Sequence, residues 1–305
     1  MSASAPPLRA YVLAFTTIYL VWGSTYLAIR VAVESMPPFA MAATRFLSAG
    51  AIFLLFLRWR GAGRLSAAQW KHAAVTGFFL LLGGNGLVSW AEQYIASGMT
   101  ALIIGTGPLF VALVEWAWPG GHRPSLWTSA AMLLGFAGVA WLAAPWDAAA
   151  SESTRMGAVL AILIACLSWA IGSIYGRQVS QPAEPFTVAA AQMLAGGAWL
   201  ALVATARGEF ASWDFAATTM RSWAAFAYLL FAGSLAGYSA FVWLMRHSTP
   251  TRTATFAYVN PVVAVFLGWL LLDEPITGRT LAASALIVAS VVAITWPRAR
   301  TANHA

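Results

Sequence analysis

The chain has 305 residues, 60% of them hydrophobic and only 9% charged, against roughly 25% charged in a typical soluble domain. So few charges cannot cover a water-facing surface, which excludes a soluble globular protein and leaves lipid as the solvent. The net charge of +7 comes from 17 basic and 10 acidic residues scattered singly or in pairs between apolar runs. That scatter supplies no continuous basic patch for nucleic acid.

The charges punctuate the sequence. Charge-free runs lie between Arg9 and Arg30, His72 and Glu92, Glu92 and Glu115, Arg123 and Asp147, and Arg155 and Arg177. They continue between Glu184 and Arg207, Arg221 and Arg246, Arg252 and Asp273, and Arg279 and Arg298. Each holds about 18 to 24 residues, and a hydrocarbon core of ~30 Å takes about 20. A tenth run, from about Pro38 to Leu57, is broken only by Arg45. Lipid offers no partner to backbone N–H or C=O groups, so each run is predicted to be a helix. The first run is long enough to span and is followed at once by another, so it is read as a helix and not as a signal peptide. Basic residues set the orientation. With the N-terminus inside, eleven fall on inner segments and five on outer loops, Arg45 lying within a span. The bias places both termini in the cytoplasm, as an even number of spans requires.

The chain repeats itself. Shifting Trp22–Gly61 by 147 residues onto Trp169–Gly208 gives twelve identities in forty positions, among them Trp22, Arg30, Pro38 and Gly61. A shift of 153 lays Phe78–Trp116 on Phe231–Trp269 with eight more, among them Gly84, Trp90 and Pro108. Ala and Leu match by chance in such sequences; Trp, Pro and Arg in one register do not. The reading is two repeats, residues 1–147 and 155–305, of five spans each. Five is odd, so the second repeat enters the membrane from the opposite side. Inverted repeats are common in transporters and place the substrate site near the midplane. The expected fold is all-α, with ten transmembrane helices.

Within the spans, Gly105-Thr106-Gly107-Pro108 in the fourth and Tyr258-Val259-Asn260-Pro261 in the ninth occupy equivalent places. Proline removes a helical hydrogen bond and clashes with the preceding turn. Symmetric breaks at membrane depth point to a cavity lining or a hinge, and Gly107, Pro108 and Pro261 are assigned there. Arg45, the only charge well inside a span, is placed with them as a candidate for the substrate pathway or gate, because an Arg at that depth snorkels or faces a wet cavity. Asn85 and Asn260 are the amides best placed to touch a substrate. Trp22 and Trp169, related by the repeat, and Tyr26, Tyr175, Tyr238 and Tyr258 offer aromatic faces suited to an amphipathic or aromatic small molecule. The lone cysteine, Cys166, reads as apolar packing.

No Asp or Glu lies mid-span; Glu92 and Glu115 sit near span ends. A proton relay normally needs such a group, so facilitated transport or exchange is expected. The four His residues lack metal-ligand spacing, and no phosphate-binding loop with Lys appears, so no metal, cofactor or ATP is expected. A catalytic motif is also missing, which speaks against an intramembrane lipid-modifying enzyme.

Val21-Trp22-Gly23-Ser24-Thr25-Tyr26, Arg45-Phe46, Ala257–Ala264 (AYVNPVVA) and Glu274-Pro275 resemble the EamA family of the drug/metabolite transporter superfamily, and Trp169–Gly176 repeats the first motif. The similarity covers nearly the whole chain. It implies a ten-helix basket in the bacterial inner membrane that exports small metabolites by alternating access. Its lining would include Trp22, Tyr26, Trp169, Tyr258 and Asn260. Where the family often has Glu-Arg or Glu-Pro after the fourth span, this chain has His122-Arg123-Pro124. Amino acids, aromatic or neutral, are the expected substrates, with drugs or other metabolites as the alternative on the same fold. A passive channel is the further alternative.

Overall fold

A computed structural model of the chain describes residues 6–121, 123–143, 152–179, 184–248, 253 and 256–295. Among them the chain is helical and contains no strand. The long helices are α1 (Leu8–Ala32), α2 (Pro38–Trp59), α3 (Ala67–Ala91), α4 (Ser97–Ala117) and α5 (Leu126–Ala143). They continue with α6 (Glu152–Gln178), α7 (Pro185–Ala206), α8 (Met220–His247), α9 (Phe256–Leu272) and α10 (Gly278–Thr295). Seven of the ten, α1 to α4 and α6 to α8, contain a stretch long and apolar enough to cross a membrane; α5, α9 and α10 are shorter apolar helices.

The boundaries follow from local chemistry. α2 and α7 each begin at a proline, Pro38 and Pro185, whose missing N–H would be unsatisfied there anyway. Glu184 caps α7, its carboxylate accepting from the Thr187 N–H at 2.9 Å. A reciprocal capping box of Ser66 and Gln69 opens α3. α2 and α7 also stop alike, each followed by a left-handed glycine: Gly61 at φ 84° and Gly208 at φ 71°. The equivalence expected from the 147-residue shift thus extends to both ends of this helix pair.

The packing is crosswise in the same sense. A Cβ added to Gly50 of α2 would lie 2.9 Å from the Leu194 N of α7, and one added to Gly197 of α7 would lie 2.9 Å from the Leu47 N of α2. Leu47 and Leu194 are themselves equivalent. The tryptophans do likewise. Gly84 of α3 would place a Cβ 2.9 Å from the ring of Trp169 in α6. Its equivalent, Gly237 of α8, would place one 2.5 Å from Nε1 of Trp22 in α1. Each tryptophan therefore lies on a helix of the other half, at a position where only glycine leaves room.

The Trp22 ring is hemmed in by three other rings, so it has nowhere to retreat. Gly84→Val and Gly237→Val should each lower stability by about 1–3 kcal/mol, the usual range for overpacking. Gly107→Ala, where a Cβ meets nothing within 4 Å, should change it far less. Thermal unfolding in detergent distinguishes the three.

Candidate functional site

The helices lose regular geometry near their middles, and they do so next to one another. π-helical segments occupy Thr17–Val21 in α1, Phe78–Gly86 in α3 and Leu229–Tyr238 in α8. The last two nearly coincide under the 153-residue shift. Such turns are rare and occur frequently at functional sites. α4 opens at Gly105-Thr106 and restarts at Gly107 with Pro108 in its first turn. α9 instead carries Pro261 inside a continuous helix. The two proline regions meet, since a Cβ on Gly105 would lie 3.1 Å from Pro261 Cγ.

Irregular turns offer carbonyls, and side chains from other helices take them. Trp22 Nε1 donates to the Gly233 carbonyl at 3.3 Å, and Ser168 Oγ to that of Phe79 at 2.7 Å. The atoms facing the buried Asn260 amide are carbonyl oxygens, so its nitrogen points at them. It donates to Ile18 at 3.2 Å, Tyr19 at 3.1 Å and Phe256 at 3.2 Å. Asn260 thereby ties α9 to the π-segment of α1. Asn85 is half-buried and reaches only the Leu80 carbonyl of its own helix, at 3.5 Å.

Aromatic rings fill the space between. The Trp22 and Trp169 centroids lie 5.7 Å apart at 86°. Phe241 stands 5.0 Å from Trp22 and 5.5 Å from Trp169, and Phe256 stands 5.6 Å from Trp22. Tyr238 is fully enclosed and donates its hydroxyl to Gln192 Oε1 at 2.8 Å. Tyr26 is half-buried against the main core. The structure thus brings together Trp22, Trp169, Tyr238 and Asn260 from the predicted set. Tyr175 lies elsewhere, at the Gln178 end of α6. Its hydroxyl contacts His72 Nδ1 at 2.6 Å, beside a cleft bordered by Gln69, Thr76, Gly176 and Gln192. The Tyr258 side chain and His122 lie outside the described residues.

Sequence reasoning did not single out Phe241, Phe256, Ser168 or Ser234. Aromatics and small hydroxyls in apolar runs carry no distinguishing pattern. It also passed over Glu92. That residue follows α3 directly, which made it read as a charge at a span end.

The two ends of the bundle differ. At the α3–α4 end the Glu274 carboxylate accepts from Ser97 N at 2.8 Å, Ser97 Oγ at 2.9 Å and Gly98 N at 3.0 Å. An anion there satisfies the first-turn donors of α4 and its positive dipole end. Gly268 makes room for it, because a Cβ would fall 2.3 Å from Glu274 Oε2. Arg155 and Arg279 both donate to the Leu142 carbonyl, at 3.4 and 3.1 Å. Glu92 is completely buried at this end. Neither of its carboxylate oxygens has a hydrogen-bond partner, while its own carbonyl accepts from Arg30. At the opposite end Arg177 pairs with Glu115 at 3.0 Å, partly in solvent. Gly121 holds the place that the 153-residue shift pairs with Glu274, so the carboxylate cap has no counterpart in the first half.

The composition, the long apolar helices and their broken, cross-braced centre define a multi-pass membrane protein. The EamA-like transporter family matches twice, over residues 9–144 and 156–296, and the chain belongs to that family. It is 36% identical over 283 residues to the uncharacterized inner membrane transporter YedA of Escherichia coli (strain K12), covering 92% of this chain and 89% of YedA. It is 24% identical to the uncharacterized transporter YoaV of Bacillus subtilis (strain 168), covering 94% and 97%. A solved crystal structure superimposes with a TM-score of 0.67 over 94% of this chain and 96% of its own, at 22% identity. That likeness concerns the fold alone.

Burial, and next to it the Glu274 carboxylate, raise the Glu92 acid well above the ordinary carboxylate range, against a smaller opposing pull from Arg30. A folded state that holds this proton more tightly than the unfolded chain loses stability as pH rises above the ordinary carboxylate range. Glu92→Gln should remove that loss, giving a flatter pH profile of thermal unfolding than the wild type between about pH 4.5 and the raised value. A wild-type profile unchanged by the substitution contradicts the assignment.

Proposed function

We propose that this chain is a secondary transporter exporting small metabolites from the bacterial cytoplasm across the inner membrane, with amino acids, aromatic or neutral, as the first substrates to test. One observation carries the reading. Trp22, Trp169, Phe241 and Phe256 converge with Asn260 where α1, α3, α4 and α8 lose regular helix geometry. Apolar rings beside a few polar groups suit an amphipathic molecule. The family and the inner-membrane relative support the transport class.

In this reading all ten helices span the bilayer, both termini are cytoplasmic, and residues 1–147 and 155–305 are inverted repeats around a midplane site. Trp22, Tyr26, Asn85, Trp169, Tyr175, Tyr238, Tyr258 and Asn260 line the path between the two faces. Bending at Gly107, Pro108 and Pro261 alternates access between them. The Glu274 cap closes one face, while the more exposed Arg177–Glu115 pair holds the other more loosely. A surface ion pair is worth roughly 0–1 kcal/mol, whereas three hydrogen bonds to a charged carboxylate contribute more.

The test is flux in proteoliposomes with labelled Trp, Phe, Thr and Met, with and without a pH gradient. The expected result is saturable flux that Trp22→Ala or Asn260→Ala lowers at least tenfold and that is indifferent to the gradient. Flux linear in concentration would favour a channel. Flux of dyes or drugs in place of every amino acid would move the substrate to the alternative class.

A further inference from the structure

Arg45 is 3% exposed, yet it does not run to a helix end. Its Nε donates to Ser234 Oγ at 2.7 Å, in the middle of α8. Nη2 lies 3.3 Å from where a Cβ on Gly233 would sit, and the guanidinium stacks 4.4 Å from the Phe46 ring centroid. Nη1 is buried without a hydrogen-bond partner. Among the described residues the cation also lacks an ionic partner. Ion pairs among the described residues join Arg177 to Glu115, Arg207 to Glu209 and Arg221 to Glu34. A guanidinium stays charged at any physiological pH. Left without an anion in a low-dielectric interior it is strongly destabilising. One such group held at mid-depth therefore calls for an anion that comes and goes.

Gly233 links this cation to the aromatic centre. Its carbonyl accepts from Trp22 Nε1, and the space its missing side chain leaves is bounded by Thr25 Cγ2 at 3.1 Å and by Arg45 Nη2. A cation with a free donor on α2 is thus separated from the ring cluster by one residue, Gly233 of the α8 π-segment.

We propose that Arg45 binds an anionic group of the transported molecule, a carboxylate foremost, while the apolar part of that molecule lies against Trp22 and its neighbouring rings. The assignment rests on the substrate reading above and narrows it to organic acids, zwitterionic amino acids included. It makes Arg45 a ligand-binding residue where depth alone left substrate pathway and gate both open. The planar fork suits bidentate carboxylate recognition, and Nη1 supplies a donor that nothing else occupies.

The experiment pairs each acid with an analogue that lacks the carboxylate. Thermal stabilisation of the purified protein and counterflow in proteoliposomes are measured for tryptophan against tryptamine and tryptophan amide, for indole-3-propionate against indole-3-propionamide, and for benzoate against benzamide. The wild type should favour each acid over its uncharged or cationic analogue by about 10- to 100-fold, as expected for a hydrogen bond to a charged group. Arg45→Gln should abolish that preference, and Arg45→Lys, which keeps the charge without the fork, should retain part of it. The analogue comparison on the wild type stands even where Arg45→Gln does not fold. Binding of indole-3-propionate or benzoate but of no amino acid, lost in Arg45→Gln, would uphold Arg45 and overturn the amino acid reading. Amino acid flux with equal handling of tryptophan amide, or an acid preference that survives in Arg45→Gln, would overturn Arg45 and leave that reading intact. Binding of no carboxylate at all would overturn both.

Discussion

A helix in hydrocarbon can break its hydrogen-bond ladder only where another part of the protein takes the freed carbonyls. That constraint organises this molecule. The π-segments of α1, α3 and α8 would be costly facing lipid, where each unsatisfied group costs several kcal/mol. Here Asn260, Ser168 and Trp22 reach across from α9, α6 and α1 to carbonyls in those segments. The irregular turns must then lie together at the centre of the bundle, where their partners are. Once they are there, the same polar groups meet in a shared interior.

Close approach is the second requirement, and glycine meets it in pairs. Gly84 admits Trp169 and Gly237 admits Trp22; Gly50 admits the backbone near Leu194 and Gly197 that near Leu47. Packing of this kind has discrete arrangements and resists gradual deformation. In the alternating-access reading proposed above, a bundle cross-braced at its middle, with weaker contacts at one end than at the other, rocks about that middle. Glu274 fastens one end with three hydrogen bonds, whereas a partly solvated ion pair meets the other.

Much of the fold was legible in the sequence because lipid imposes a simple rule on it. Charge-free runs of spanning length became helices, and the run interrupted by Arg45 became α2, from Pro38 to Trp59. The duplicated register was visible through Trp, Pro and Arg, and the structure adds the left-handed Gly61 and Gly208 and the matched π-segments of α3 and α8. The paired prolines were foreseen as equivalent breaks. In the structure only the first interrupts its helix, because Gly105 and Gly107 flank that break while Pro261 sits within an otherwise regular α9. The site was read only in part. Trp22 and Trp169 stood out by position in the repeat, and Asn260 as an amide within a span beside Pro261. Phe241 and Phe256 did not, since one aromatic among many in an apolar run carries no mark of the direction it faces. Glu92 shows the reverse failure: its position near a span end kept it out of the candidate set, and tertiary packing buries it. Tyr175 was grouped with the other aromatic faces, yet it lies near the Gln178 end of α6, where its hydroxyl meets His72.

The account's central claim is that the broken centre opens to each side of the membrane in turn. Gly107 is the place to ask, since it lies in the α4 break and a side chain there meets nothing within 4 Å. In a background with the buried Cys166 replaced, Gly107→Cys would be exposed to a membrane-impermeant thiol reagent from each face of oriented vesicles. The account predicts reaction from both faces, slowed from both by a transported amino acid. Reaction from one face only, with or without substrate, would contradict it.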